Sequence, residues 1–282
     1  MAGVTIQELQ QRKQQGGKIA MLTAYDYPMA KLVDASGVDI VLVGDSLGMV
    51  VLGYETTSPV TMDEMIHHAK AARRGVTRAL FVGDMPYLSF RGSTEESIAN
   101  ARRFVTEAGC DAVKLEWKDG IEEIAGAIIA SGIPVMGHVG LTPQTASSDG
   151  GFGVRGKDAG SAARIISQAV SLERAGCFAM VLEYVPDEVA QEITRRLRVP
   201  TIGIGSGPRC DGQVIVTHDL VGLFERFKPK FVKRYANVAD TIRQATAAYV
   251  KDVRSGVFPG KEQTVVMAPE ETAKLKRELG ND

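Results

Sequence analysis

Cysteine is scarce. The 282-residue chain carries three, Cys110, Cys177 and Cys210, an odd number set far apart, which argues against a disulfide framework. No Cys-x-x-Cys or Cys/His spacing suggests zinc. Cys110 and Cys177 each follow an Ala-Gly pair where a small buried residue fits, so the cysteines read as packing residues in a reducing compartment. Charge of one sign is lacking too. The formal net charge is −1 with no Lys/Arg run, so nucleic acid is not expected as a partner. Apolar runs are short, none near the roughly 18 residues of a membrane span. The polar start, MAGVTIQELQQRKQQGGK, lacks the apolar core of a signal peptide and reads as a short surface helix ending at Gly16-Gly17. A cytoplasmic protein with no membrane partner is the simplest expectation. No Pro- or Ser-rich linker marks a domain boundary.

What is present is a repeated unit. DASGVDIVLVGD (34–45), TEAGCDAVKLEW (106–117) and ERAGCFAMVLEY (173–184) each read as a helix end, a glycine stop and an apolar strand closed by a polar residue. Strands are expected near 19–24, 39–43, 79–83, 112–116, 133–138, 178–183, 199–204 and 230–234. Helical segments fall at 28–36, 62–75, 94–108, 120–131, 158–175, 187–197 and 217–226. Strands alternating with helices argue for parallel βαβ units, and this number fits a (β/α)8 TIM barrel with a short N-terminal helix. A doubly wound open sheet is the runner-up. The expected domains are a barrel over 1–262 and a charged tail, helical or loosely attached, over 263–282.

Barrel active sites lie at the C-terminal strand ends. Here those ends carry Tyr25, Asp26, Asp45, Ser46, Asp84, Lys114, Glu116, His138 and Glu183. A single strand-end Asp commonly caps the next helix; the whole set points to function. In AVKLE, Lys114 and Glu116 are two apart and share one side, while Val113 and Leu115 take the other. Apolar residues should meet the helices, so Lys114 and Glu116 should face inward, where they need partners, a metal or each other. Asp45, Asp84 and Glu116 end neighbouring strands and would repel unless a cation or a proton intervenes. An all-oxygen donor set suits magnesium or manganese, and Lys114 beside it would hold a bound acid. Glu183, after four apolar residues, is the candidate base, its pKa raised by burial. His138 is a candidate substrate contact or a satisfied structural histidine. The Gly-rich stretch 141–160 reads as a lid or cofactor loop, and GIGSG (203–207) weakly as a phosphate turn. His67-His68 read as surface or packing residues. Trp117 would line the pocket or cover the rim.

LTAYDYPMAKL, VLVGDSLGMV, VGDMPY, VKLE, GHVGLTPQ, GGFGVRGK, VLEYVP and TIGIGSG followed by DGQ (211–213) and V-x-HD (216–219) resemble, in order, the ketopantoate hydroxymethyltransferase family. The resemblance implies a magnesium-dependent barrel (manganese or cobalt being possible substitutes) of the phosphoenolpyruvate-mutase/isocitrate-lyase-like superfamily, working in pantothenate biosynthesis. It implies a homo-oligomer, commonly a decamer. It implies transfer of a one-carbon unit from 5,10-methylenetetrahydrofolate to 3-methyl-2-oxobutanoate, giving 2-dehydropantoate, through an enolate and aldol-type addition. Carried over by position, Asp45, Asp84 and Glu116 would form the metal shell, direct or through water. Asp45, Ser46, Asp84, Lys114 and His138 would bind the keto acid, and Glu183 would accept the proton. Trp117, Tyr184 and Ser206 depart from the family's usual residues. Competing readings are a metal-dependent C–C or C–P lyase acting on a 2-oxo or 2-hydroxy acid, a Schiff-base aldolase using Lys114, and a barrel used only for binding.

Overall fold

The structure, a computed structural model, describes residues 3–146 and 151–280. Eight parallel strands close into a barrel in sequence order. They are β1 (Ile19–Thr23), β2 (Ile40–Val43), β3 (Leu80–Asp84), β4 (Ala112–Glu116), β5 (Val135–Gly140), β6 (Ala179–Glu183), β7 (Thr201–Ile204) and β8 (Gly212–Ile215). The helices of this unit are α1 (Ile6–Gln14), α2 (Tyr27–Ala35), α3 (Leu47–Val50), α4 (Met62–Arg73), α5 (Thr94–Thr106), α6 (Ile121–Ala130), α7 (Ala159–Arg174), α8 (Asp187–Arg196) and α9 (Thr217–Leu220). Polar residues at the helix starts fix where they begin. Asp26 caps α2, and Thr61, Ser93 and Asp158 open α4, α5 and α7 with reciprocal capping boxes that satisfy otherwise orphaned N–H groups. Gly37, Gly109 and Gly176 end helices at positive φ, as the repeated Gly stop requires.

Strand alternation sorts the side chains. Val113 and Leu115 join the apolar layer between barrel and helices, whereas Ala112 packs inside the barrel with Met21, Leu42, Val82 and Met136. Lys114 and Glu116 therefore project inward, as their spacing requires. Leu9 of α1 is fully buried in the inner cluster. That apolar floor closes one end, and polar groups occupy the other.

Two expectations are corrected. The segment 230–234 is not a strand; closure is made by β8, pairing Ile19–Leu22 with Gly212–Ile215. Gly212 is required there because an added Cβ would meet the Ile19 carbonyl at 2.5 Å. A strand beginning Gly-Gln has little apolar signal, whereas Phe-Val-Lys-Arg has much of it. Helix 217–226 shortens to α9, the chain turning at Gly222 with φ 66°. In addition β5 runs on to Gly140, so His138 lies within the strand, opposite Glu116 and Val181.

The compact barrel unit ends at Tyr235, and a second unit begins at Ala236. The boundary expected at 262 falls inside that second unit, which comprises α10 (Val238–Arg254) and α11 (Pro269–Glu278) with the segment between them. The motif reading did not anticipate α10. Among the described residues no helix is long and apolar enough to cross a membrane.

Candidate active site

A cavity of about 780 Å³ opens at the C-terminal strand ends. Its lining brings together Asp45, Ser46, Asp84, Lys114, Glu116, His138 and Glu183, whereas Tyr25 and Asp26 of the strand-end set lie outside it, Asp26 serving as the α2 cap. Lys114 Nζ donates to Asp84 Oδ1 at 2.6 Å, with both side chains at most 5% exposed. The Asp45 backbone N–H donates to Asp84 Oδ2 at 3.3 Å, tying the β2 and β3 ends together. Ser46 Oγ lies 2.8 Å from the buried Tyr25 hydroxyl, which fixes its rotamer.

Across the floor, His138 sits between two carboxyl groups. Its Nδ1 is 3.5 Å from Glu116 Oε1 and its Nε2 is 3.3 Å from Glu183 Oε2, yet neither nitrogen completes a hydrogen bond among the described residues. Burial, then the Lys114 charge, holds its imidazole well below the usual histidine range, so it is neutral. Burial pushes Glu183 up to about 8 and Asp84 up to about 7, with Lys114 opposing both shifts. Burial also lifts Glu116 well above the ordinary carboxylate range. Burial works against the Lys114 charge, but Asp84, Glu116 and Asp45 outweigh it and keep the ammonium protonated.

Gln144 is the residue that sequence reasoning missed. Only 3% exposed, it donates from Nε2 to Asp45 Oδ2 at 2.9 Å and to the Met85 carbonyl at 3.0 Å. Its backbone N–H donates to Glu116 Oε2 at 3.1 Å. One residue of the β5 loop thus holds two carboxylates of the floor. It stood in view inside GHVGLTPQ, but no spacing rule singles out a loop glutamine.

Other motifs are placed more plainly. Ser206 of GIGSG donates to the Leu182 carbonyl and accepts from Val185 N, which ties the turn to β6. Trp117 packs on the outer apolar layer and does not line the cavity. His68 bonds the Tyr25 carbonyl, while His67 is exposed. Leu141, Pro143 and Phe152 line the cavity, but part of the 141–160 loop lies outside the described residues, and with it part of the lid reading. The three cysteines are buried and unpaired.

Among the described residues no group of three or more His, Cys, Asp or Glu side chains could hold a metal ion by itself. The donor chemistry nevertheless fits a hard cation on fewer protein ligands. The buried Asp45, Asp84 and Glu116, with the partly exposed Glu183, outnumber Lys114 in the cavity, and magnesium commonly takes one or two carboxylates with water and substrate completing its shell. Glu116 is engaged by Gln144 and His138 rather than gathered with the two aspartates into a three-ligand cluster.

A closed parallel barrel with ionisable groups on the C-terminal ends of successive strands defines an enzyme of the (β/α)8 class. A family profile described as ketopantoate hydroxymethyltransferase matches residues 3–261. The 3-methyl-2-oxobutanoate hydroxymethyltransferase of Acetivibrio thermocellus is 55% identical over 252 residues, 89% of each chain. That of Moorella thermoacetica is 54% identical over 261 residues, 93% of this chain and 97% of the relative. The chain belongs to the ketopantoate hydroxymethyltransferase family and is a transferase. Solved structures share its fold. Phosphoenolpyruvate phosphomutase from Streptomyces platensis subsp. rosaceus superposes with a TM-score of 0.59 at 14% identity, covering 98% of this chain and 96% of that one. A phosphonopyruvate hydrolase in complex with oxalate and Mg++ gives 0.58 at 13% identity, covering 98% and 95%.

Proposed function

We propose that the chain transfers a one-carbon unit from 5,10-methylenetetrahydrofolate to 3-methyl-2-oxobutanoate, giving 2-dehydropantoate and tetrahydrofolate. The observation that carries this reading is an opposition across one floor. A buried Lys114–Asp84–Asp45 corner faces a carboxyl group, Glu183, whose proton affinity is tuned for exchange near neutral pH. A 2-oxo acid needs both: a polar corner for its carboxylate and carbonyl, and a base for the proton on the adjacent carbon.

Asp45 and Asp84 would hold a magnesium ion, with Glu116 reaching it through water. Bound there, the ion would supply Lewis acidity toward the oxygens of the keto acid. The remaining work belongs to the chain. Lys114 Nζ and Ser46 Oγ bind and orient the substrate carboxylate, Ser46 being steadied by Tyr25. Glu183 takes the proton from the branched carbon. The neutral His138, 3.3 Å from Glu183, places no opposing charge beside that carboxyl. The largely apolar walls, Leu42, Val181 and Phe152 among them, limit the access of bulk water to the reacting carbon. The nucleophilic carbon forms its new bond to the donor's methylene as one methylene C–N bond opens, and that nitrogen receives the proton taken by Glu183. One water then breaks the second C–N bond, its oxygen becoming the product hydroxyl and its proton going to the released folate nitrogen. The three unpaired buried thiols support a cytoplasmic setting, and self-association is carried over from the family resemblance.

The test is proton NMR of 3-methyl-2-oxobutanoate in deuterated water. Loss of the branched-carbon proton that requires enzyme and magnesium, and that EDTA stops, is the expected result. No exchange with magnesium and tetrahydrofolate present would overturn the substrate assignment.

A further inference from the structure

The cavity is larger than a five-carbon acid needs. Its volume of about 780 Å³ lies within the roughly 300–1,000 Å³ that suits drug-sized ligands, and the polar floor is only its deep end. The outer end has its own character. Asp219, in α9, and Phe224, Phe227 and Phe231, in the loop that follows, line it together with Tyr184.

These groups are held as one piece. Leu223 and Phe224 both donate their backbone N–H to the His218 carbonyl, at 2.8 and 3.2 Å. Arg234 Nη2 donates to the Phe224 carbonyl at 3.1 Å. The Phe224 and Phe227 rings meet edge to face with centroids 5.4 Å apart. Phe231 lies over Gly205, where an added Cβ would meet the ring at 2.6 Å, and against the Tyr184 ring at 5.4 Å. Tyr184 itself adopts the left-handed conformation, φ 49°, uncommon for an aromatic residue.

Asp219 is the unexplained member. It is 8% exposed, and its carboxylate has no hydrogen-bond or ion-pair partner among the described residues. Burial pushes its pKa up to about 6, opposed by Arg234. Its oxygens face the cavity rather than the packed interior, so they stand open to donors that a ligand brings. A carboxylate accepts two parallel N–H bonds best from a planar group offering adjacent donors. An aminopyrimidinone edge does this with its ring N–H and exocyclic amino group, and its faces stack on aromatic rings.

We infer that Asp219, with Phe224, Phe227 and Phe231, forms the subsite for the aminopyrimidinone ring of the one-carbon donor, Asp219 pairing with its N–H edge. This rests on the folate-dependent reading above. The donor's methylene then approaches the floor from the mouth, while the keto acid occupies the deep end.

The experiment measures tetrahydrofolate binding to the full chain, by titration calorimetry with magnesium and 3-methyl-2-oxobutanoate present, for wild type, Asp219→Asn and Phe227→Leu. Asp219→Asn should weaken binding at least tenfold and raise the KM for 5,10-methylenetetrahydrofolate similarly. The KM for the keto acid should stay within about twofold. Phe227→Leu should weaken binding three- to tenfold. A tetrahydropterin lacking the aminobenzoylglutamate part should bind wild type and lose affinity in Asp219→Asn, while p-aminobenzoylglutamate should bind both chains equally. Should Asp219→Asn fail to fold by circular dichroism, Phe227→Leu and the two fragments decide. Binding within twofold of wild type in the variants, or a loss confined to the aminobenzoyl fragment, overturns the subsite. A wild-type chain that neither binds tetrahydrofolate nor turns over the keto acid overturns the underlying reading as well. Turnover by wild type with an unchanged donor KM in Asp219→Asn removes the subsite alone.

Discussion

Replacing Gln144 by Ala isolates what a single loop amide contributes. The backbone donation to Glu116 survives, because alanine keeps its N–H; what disappears is Nε2 and its two acceptors, Asp45 Oδ2 at 2.9 Å and the Met85 carbonyl at 3.0 Å. A hydrogen bond to a charged group contributes ~1.5–3 kcal/mol, and a buried carbonyl stripped of its donor costs ~1–3 kcal/mol. Partial relaxation and water entry recover some of this, so about 3 kcal/mol is the expected loss. At ~2–4 °C per kcal/mol for a unit of this size, the melting temperature should fall by about 6–12 °C. Activity should fall as well, since Asp45 is then free to change rotamer. The assay is thermal melting by circular dichroism, with kcat/KM measured well below the new transition. Gln144→Glu sharpens it: the shape is kept but a second carboxyl faces Asp45, so the loss should be greater at pH 8 than at pH 5.5. A melting temperature within about 2 °C of wild type for Gln144→Ala would refute the assignment, because the two bonds would then carry no net stabilisation.

Glu183 must be ionised to accept a proton. With its pKa near 8 the substrate-proton exchange rate should climb with pH below that value and level off above it. Glu183→Gln should flatten the profile and lower exchange by about 10²–10⁴-fold, as loss of a general base commonly does; normal exchange in that variant would remove Glu183 from the role. Burial pushes the Cys177 thiol up to about 12 and Cys210 to about 11, and raises Cys110 too. At pH 8 the thiolate fraction is on the order of one in a thousand or less, so iodoacetamide should leave the native chain unlabelled until denaturant is added; prompt stoichiometric labelling would contradict the packing. Gly140 has φ 100°, and an added Cβ would meet the Glu183 carbonyl at 2.3 Å. Gly140→Ala should therefore cost ~1–3 kcal/mol in backbone strain alone and depress kcat more than the keto-acid KM; an unshifted melting curve would show that the strands can part there freely.

Legibility followed the strength of the local pattern. The β4 sequence AVKLE announced its own geometry, because only a two-residue period with apolar residues outward accommodates a lysine and a glutamate, and both face the cavity. The repeated Ala-Gly stops marked helix ends for the same reason: the left-handed turn has few other tenants. β8 was misplaced because its key residue, Gly212, is chosen for the absence of a side chain, which leaves no hydrophobic trace. Gln144 and Asp219 stood inside recognisable motifs without being given a role, for a different reason. Their importance lies in partners, or the lack of them, that tertiary folding alone supplies.

The helix starts described with the fold have a consequence for capture. In this barrel α2, α4, α5, α6, α7 and α8 each begin beyond the C-terminal end of a strand, so their N-termini surround the mouth of the cavity. Each carries roughly half a positive charge from its aligned peptide dipoles. Each of these starts, however, also carries a carboxylate of its own, Asp26, Asp63, Glu95, Glu122, Asp158 and Asp187 in turn, so the dipoles are answered within the chain before a keto acid anion arrives. Long-range attraction is thereby cancelled at the rim, and recognition of the acid is left to the short-range contacts of the floor. Raising the ionic strength should therefore not slow entry of the anionic substrate, in keeping with a chain that bears almost no net charge.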